Sequence, residues 1–212
     1  MSIYLLSDSH HEGVINLPQI KILYKEMNLD VSSYDVLIFS SKKGVKAISK
    51  IAQDWIKIPS YAIGTPTADF IKASGGKVAY IAQSSYGNNF AKEIIPKLQN
   101  KKVLFIRAKK VASDLESILR TSGIDLTSKI AYETTCRDKT DEKIEENSVF
   151  IFTSPSTIKC FFKNHEWHKS YKAVCIGNVT AKALPKNISL HVSKTQTIDA
   201  CIELAKTLIK QN

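Results

Sequence analysis

The sequence predicts an α/β protein of two domains, each built on a parallel sheet, and three observations predict it. Short apolar runs alternate with stripes of helical period along nearly the whole chain, the pattern of right-handed βαβ units. One strand–helix–strand–helix stretch occurs twice at a single offset of 113 residues. Val36-Leu-Ile-Phe-Ser-Ser41 matches Val149-Phe-Ile-Phe-Thr-Ser154, and Ala62-Ile-Gly-Thr-Pro-Thr-Ala68 matches Cys175-Ile-Gly-Asn-Val-Thr-Ala181. Finally, a chain of 212 residues can bury one large core or two of roughly 100 residues, and the duplication selects two.

The elements follow in order. Residues 3–7 read as a buried strand and 8–13 as a loop, and Pro18 leaves little room for a helix before Gln19-Ile-Lys-Ile-Leu-Tyr24, whose alternation suits an extended segment. Residues 36–39 are apolar on both faces, as in a strand covered from both sides. Ser40 and Ser41 then cap a helix carrying Val45, Ile48, Ile51, Ala52 and Trp55. A strand at 61–63 reaches Gly64. Thr65 or Thr67 caps the next helix, which ends at Gly75-Gly76. A strand at 78–81 precedes a helix striped by Phe90, Ala91, Ile94, Ile95 and Leu98. A strand at 103–106 ends at Arg107, a helix carries Val111, Leu115, Ile118 and Leu119 up to Gly123, and Ile130-Ala-Tyr-Glu-Thr134 is extended. The second copy supplies strands at 149–152 and 173–176 and helices at 156–162 and 179–184. A strand at 189–192 and a helix from Ile198 complete the chain.

Composition excludes several classes. No run approaches the roughly 18 apolar residues of a membrane span, and the N-terminus has no basic segment before its apolar stretch, so it reads as a first strand rather than a signal peptide. The four cysteines, Cys136, Cys160, Cys175 and Cys201, lack the spacing of a zinc knuckle or a redox dithiol. They read as free thiols of a reducing cytoplasm. His165 and His168 have no carboxylate or cysteine set around them, so no metal site is expected. The net charge of +10 is carried by 27 lysines and only three arginines, scattered over helix-like segments. A solvated face explains that pattern, as does an acidic small molecule drawn in by the summed field; neither nucleic acid nor membrane is expected as a partner.

In parallel sheets ligands sit at the carboxyl ends of the strands, near helix N-termini. Ser40, Ser41, Gly64, Thr67, Arg107, Thr153, Ser154, Gly177 and Thr180 fall there. Exposed N–H groups at a helix start favour anionic oxygens, and hydroxyls add donors without bulk. Taken singly, each Ser or Thr is an ordinary helix cap; the paired recurrence sets the group apart. Gly-x-Gly-x-x-Gly, the phosphate-binding Gly-Lys-Ser/Thr loop and the Gly-x-Ser-x-Gly elbow are all missing. The residues alone define a two-domain α/β protein that binds a carboxylated or phosphorylated small molecule.

Six segments in order resemble the uroporphyrinogen-III synthase family: Leu37-Ile-Phe-Ser-Ser-Lys-Lys-Gly-Val45, the 62–68 segment, Leu104-Phe-Ile-Arg107, Ile130-Ala-Tyr-Glu-Thr134, Ile151-Phe-Thr-Ser-Pro-Ser156 and Val174-Cys-Ile-Gly-Asn-Val-Thr-Ala181. The resemblance implies two flavodoxin-like parallel-sheet domains joined by a two-stranded linker. The domains would be 1–19 with 138–212, and 30–128; the linker strands would be 20–29 and 129–137. It implies a cytoplasmic, monomeric, cyclising hydro-lyase without cofactor. Such an enzyme closes the linear tetrapyrrole hydroxymethylbilane with loss of water and inversion of ring D, through a spiro-pyrrolenine intermediate, with the substrate lying between the two copies of the repeat. The preceding enzyme, which makes hydroxymethylbilane, is an implied partner. Tyr132 matches the family's tyrosine beside the cleft and is the candidate general acid; its other reading is a packing tyrosine with its hydroxyl in solvent. Thr67, Ser154 and Thr180 match cleft-lining positions and Lys172 a basic one, while Arg107 fills a strand-end slot that varies in the family. The segment 8–18 is shorter than in the family, which implies a first helix that is truncated or missing. The contrasting reading of the whole chain is a non-catalytic two-lobed module that closes on a small anion.

Overall fold

The computed structural model describes residues 1–84, 86–111, 113–139 and 142–210. In chain order the elements are β1 (Ile3–Leu5), β2 (Ile15–Asn16), β3 (Ile20–Tyr24), β4 (Val36–Phe39), α1 (Lys42–Ile51), β5 (Pro59–Ala62), α2 (Thr65–Ala73), β6 (Lys77–Ile81), α3 (Gly87–Ile94), β7 (Lys102–Ala108), α4 (Leu115–Thr121) and β8 (Asp125–Cys136). They continue with β9 (Val149–Phe152), α5 (Pro155–Asn164), β10 (Lys172–Cys175), α6 (Asn178–Ala181), β11 (Leu190–Val192) and α7 (Ile198–Lys210). The chain divides into a terminal unit, Met1–Lys21 with Thr135–Asn212, and an inserted unit, Ile22–Thr134.

The terminal unit holds a sheet in the order β2-β1-β9-β10-β11, with every pair parallel. Numbered by chain order within the unit this is 2-1-3-4-5, the flavodoxin order, and the direction of winding reverses between β1 and β9. The apolar run Val-Phe-Ile-Phe of β9 is fully buried because it feeds two cores. Phe150 and Phe152 pack with Ile158 and Phe161 of α5, whereas Val149 and Ile151 pack with Cys201, Ile202 and Ala205 of α7. Residues 6–14 contain only bends and turns, so β1 passes to β2 without the usual helix.

The inserted unit has the sheet order β3-β8-β7-β4-β5-β6. Leaving β3 aside, it fills the same five places, but the two strands that come first in the terminal unit come last here. Leu37 and Phe39 face α1 and α2, and Val36 and Ile38 face α3 and α4. The repeat seen in the sequence holds element by element: β4, α1, β5 and the start of α2 stand 113 residues before β9, α5, β10 and the start of α6.

The expectation for the cysteines changes here, and the strands assigned to the linker pair with the inserted sheet. β8 is one 12-residue strand, parallel to β7 from Asp125 to Tyr132, and β3 lies on its other side. This continuous pairing satisfies backbone groups that a separate ribbon would leave at an edge. The cysteines are not four free thiols. Cys136, at the end of β8, is disulfide-bonded to Cys160 in α5, while Cys175 and Cys201 are free and buried. Asn164 Nδ2 donates to the Arg137 carbonyl beside that bond, so α5 holds the end of β8 at two points. Burial, with Cys201 alongside, pushes the Cys175 thiol up to about 12, which leaves it inert at neutral pH. The bonded pair removes the argument for a reducing compartment drawn from cysteine usage.

Candidate active site

Each unit presents a rim of donors at the carboxyl ends of its strands. In the inserted unit β4 runs through Ser40 to Ser41, whose extended backbone stops the strand and starts α1; its Oγ accepts from the Lys43 N–H at 3.1 Å. In the terminal unit β9 runs through Thr153 to Ser154. Ser154 Oγ accepts from the Thr157 N–H at 3.4 Å, and Thr157 Oγ1 accepts in return from the Ser154 N–H at 3.3 Å. That reciprocal arrangement is a capping box with threonine in the acidic residue's place. Ser156, which the sequence reading passed over, lies 2.9 Å from Ser154 Oγ and belongs to the same rim. The Ser-Pro-Ser spacing was the available signal.

The second strand of each copy ends in a glycine. Gly64 and Gly177 are the N-caps of α2 and α6, and neither helix start receives a side-chain cap. The first N–H groups of these helices therefore have no side-chain cap. Thr67 and Thr180 occupy the same third helical position and are 5% and 4% exposed. Neither Thr65 nor Thr67 caps α2, contrary to expectation; Gly64 does, at φ +80°, a conformation that other residues adopt only under strain. Gly177 is extended instead and needs no glycine for its backbone. Its constraint is space, because a Cβ there would meet the Gln196 side chain at 3.2 Å. Gln196, in the bends before α7, is thus a further rim residue, and no sequence pattern marks it.

Tyr132 belongs to the inserted unit and is only 4% exposed. The Ser41 side chain is its polar neighbour and favours the phenolate, the effect of a hydroxyl that donates toward the phenolic oxygen. The reading in which the Tyr132 hydroxyl points to solvent does not hold. Burial raises the Tyr132 pKa above its ordinary value; Ser41 opposes the rise and nearby Tyr24 adds to it. The phenol therefore remains protonated across the physiological range.

Arg107 lies at the end of β7 as expected, but its guanidinium is engaged. Nε lies 2.8 Å from Ser128 Oγ and 2.9 Å from Glu116 Oε2, and Nη1 donates to the Ala108 carbonyl at 3.0 Å. Burial alone would raise the Glu116 carboxyl; hydrogen bonds from Ser128 and Arg120 and the Arg107 charge outweigh it and hold the group low. Arg107 thereby fixes α4 to the sheet.

Lys172 requires correction. It begins β10, at the amino end, whereas Gly177 and Thr180 follow the carboxyl end. Its Nζ donates to the Leu208 carbonyl at 3.0 Å, near the end of α7, where a cation is favoured by the helix dipole. Lys172→Met is accordingly expected to lower the stability of the protein by about 1 kcal/mol in urea unfolding, with substrate KM unchanged. A raised KM at unchanged stability would restore Lys172 to the site.

The fold and rims define a class: a duplicated α/β protein with hydroxyls and uncapped helix starts at the carboxyl ends of its strands. The sequence model of the family described as uroporphyrinogen-III synthase HemD matches residues 9–203, so the chain belongs to that family. It is 28% identical over 207 residues to the porphyrin biosynthesis protein HemD of Ruminiclostridium josui, a match that covers 90% of this chain and 41% of that relative. The chain thus spans less than half the length of this curated relative. The crystal structure of uroporphyrinogen-III synthetase from Helicobacter pylori is similar at a TM-score of 0.85 and 30% identity, covering 98% of this chain and 99% of that one. A mutant uroporphyrinogen III synthase from Thermus thermophilus, 14% identical with a TM-score of 0.59 and 99% of each chain covered, shares the fold.

Proposed function

We propose that the chain is a uroporphyrinogen-III synthase, closing hydroxymethylbilane with loss of water and inversion of ring D. The observation that carries this reading is the family match along residues 9–203, on a chain whose two rims are built from the same repeated segments. The substrate carries eight carboxylates. In the inserted unit the open start of α2 with Thr67 and the Ser40 hydroxyl, and in the terminal unit the open start of α6 with Thr180 and the hydroxyls of Thr153 and Ser154, suit acetate and propionate groups. The net charge of +10 draws the polyanion in. Uncatalysed closure gives the symmetric type I product, so the main task is orientation of the reactive methylene toward the substituted carbon of ring D.

Tyr132 donates its proton as the hydroxymethyl C–O bond breaks, and the hydroxyl leaves as water. The proton released as the attacked ring returns from pyrrolenine to pyrrole goes back to Tyr132, so the cycle balances at one water lost. Among the described residues no helix is long and apolar enough to cross a membrane. We read the enzyme as a cytoplasmic monomer that needs no cofactor and receives its unstable substrate from the enzyme that makes it.

The test is rate. Added protein should consume fresh hydroxymethylbilane faster than its spontaneous closure, and Thr67→Val or Thr180→Val should raise KM about tenfold, one charge-assisted hydrogen bond each. A non-catalytic anion-binding module would bind the tetrapyrrole and leave its closure rate unchanged.

A further inference from the structure

Strand β8 contains an irregularity that decides where Tyr132 points. Along β7 and β8 the partners run Leu104 with Thr127, Phe105 with Ser128, Ile106 with Lys129 and Arg107 with Ile130. Ala108 then pairs with Tyr132, so Ala131 is an extra residue. Side chains alternate faces along a regular strand. By that alternation Tyr132 would share the face of Leu126, which packs against α3 and α4. The bulge reverses it. Ala131 and Tyr132, adjacent in sequence, both lie in the opposite core with Phe39, Val45 and Ala68, on the side of α1 and α2. A bulge that re-aims one side chain beside a functional site is a recurrent device. Here the re-aimed hydroxyl finds the Ser41 hydroxyl, which the Lys43 N–H holds at the start of α1.

We propose that Ser41 is a positioning residue for Tyr132: its hydroxyl, anchored at the α1 start, holds the phenolic oxygen that the Ala131 bulge delivers to this face and leaves the phenolic proton for the substrate. The Ser41 oxygen accepts from the Lys43 N–H, which leaves the Ser41 proton to donate toward the phenolic oxygen. The phenol then keeps its own proton for the substrate, and its oxygen is held in one place. This inference rests on the reading of Tyr132 as proton donor.

A double-mutant cycle tests it, scored by kcat and KM for type III product. The first variant is Ser41→Gly, because glycine retains most of the capping preference and α1 keeps its start. With Tyr132 present, Ser41→Gly should lower kcat about tenfold with KM within about twofold, and Ser41→Thr should restore most of the loss. In a Tyr132→Phe background the same change should cost less than about twofold. An equal fall in both backgrounds, or a raised KM at unchanged kcat, would overturn the positioning role and return Ser41 to direct substrate binding. If Tyr132→Phe alone leaves kcat untouched, the proton-donor reading fails and this proposal falls with it. The two failures are thereby distinguished.

Discussion

Tyr132→Phe is expected to lower kcat for uroporphyrinogen III about tenfold to a hundredfold, with KM within about twofold of the parent value. The magnitude follows from what the substitution removes. General acid catalysis contributes about 10²- to 10⁴-fold, and water can protonate part of the leaving group in the tyrosine's place, so the lower end applies. Orientation of the reacting carbons supplies up to roughly 7–11 kcal/mol and survives, because Tyr132→Phe leaves the rims intact. Two readouts accompany the loss. Slower turnover gives spontaneous closure time to compete, so the type I fraction should rise. The parent enzyme should also keep its kcat up to about pH 10 as far as Tyr132 is concerned, since burial raises this phenol above its ordinary value and the active form is the protonated one. A kcat that falls between pH 7 and 9 with an unaltered fold would point to a different donor.

Reducing the Cys136–Cys160 bond is expected to destabilise the protein by about 3.5 kcal/mol. The bond closes a loop with a sequence separation of 24, which in the chain-entropy account corresponds to a loss of that size when the link is cut. The effect should fall on the terminal unit, since both cysteines belong to it. Urea unfolding of the oxidised protein with and without dithiothreitol measures it, and Cys136→Ser should match the reduced curve without further response to reductant. Identical midpoints with and without reductant would show that the bond contributes nothing in solution.

These two features illustrate what the sequence carries and what it conceals. The strands β4 and β9 were legible because their four-residue apolar runs need cover on both faces, and the helices behind them because Val45 and Ile48 repeat with helical spacing. The offset of 113 residues located both rims, since Ser41 and Ser154 are caps in any strand-to-helix turn. The Ala131 bulge was not legible. It is a mismatch between two strands, and neither Ile130-Ala-Tyr-Glu nor the β7 sequence contains a glycine or proline to announce it. The pairing of Cys136 with Cys160 was hidden for a similar reason: it depends on β8 running past α5, a tertiary fact. Lys172 misled because its position next to an apolar strand is the same at either strand end in sequence, and only the sheet distinguishes the binding end from the other. The strand β2 was too short, at two residues, to leave a periodic trace.

The family assignment, the paired rims and the aim of Tyr132 all lead to one property, control over which isomer forms. Fresh hydroxymethylbilane should be converted in the presence of the protein, the product oxidised, and the isomers separated by chromatography. Predominantly type III uroporphyrin is expected, with type I confined to the amount that spontaneous closure generates in the same time. Type I alone, formed at the spontaneous rate, would contradict it.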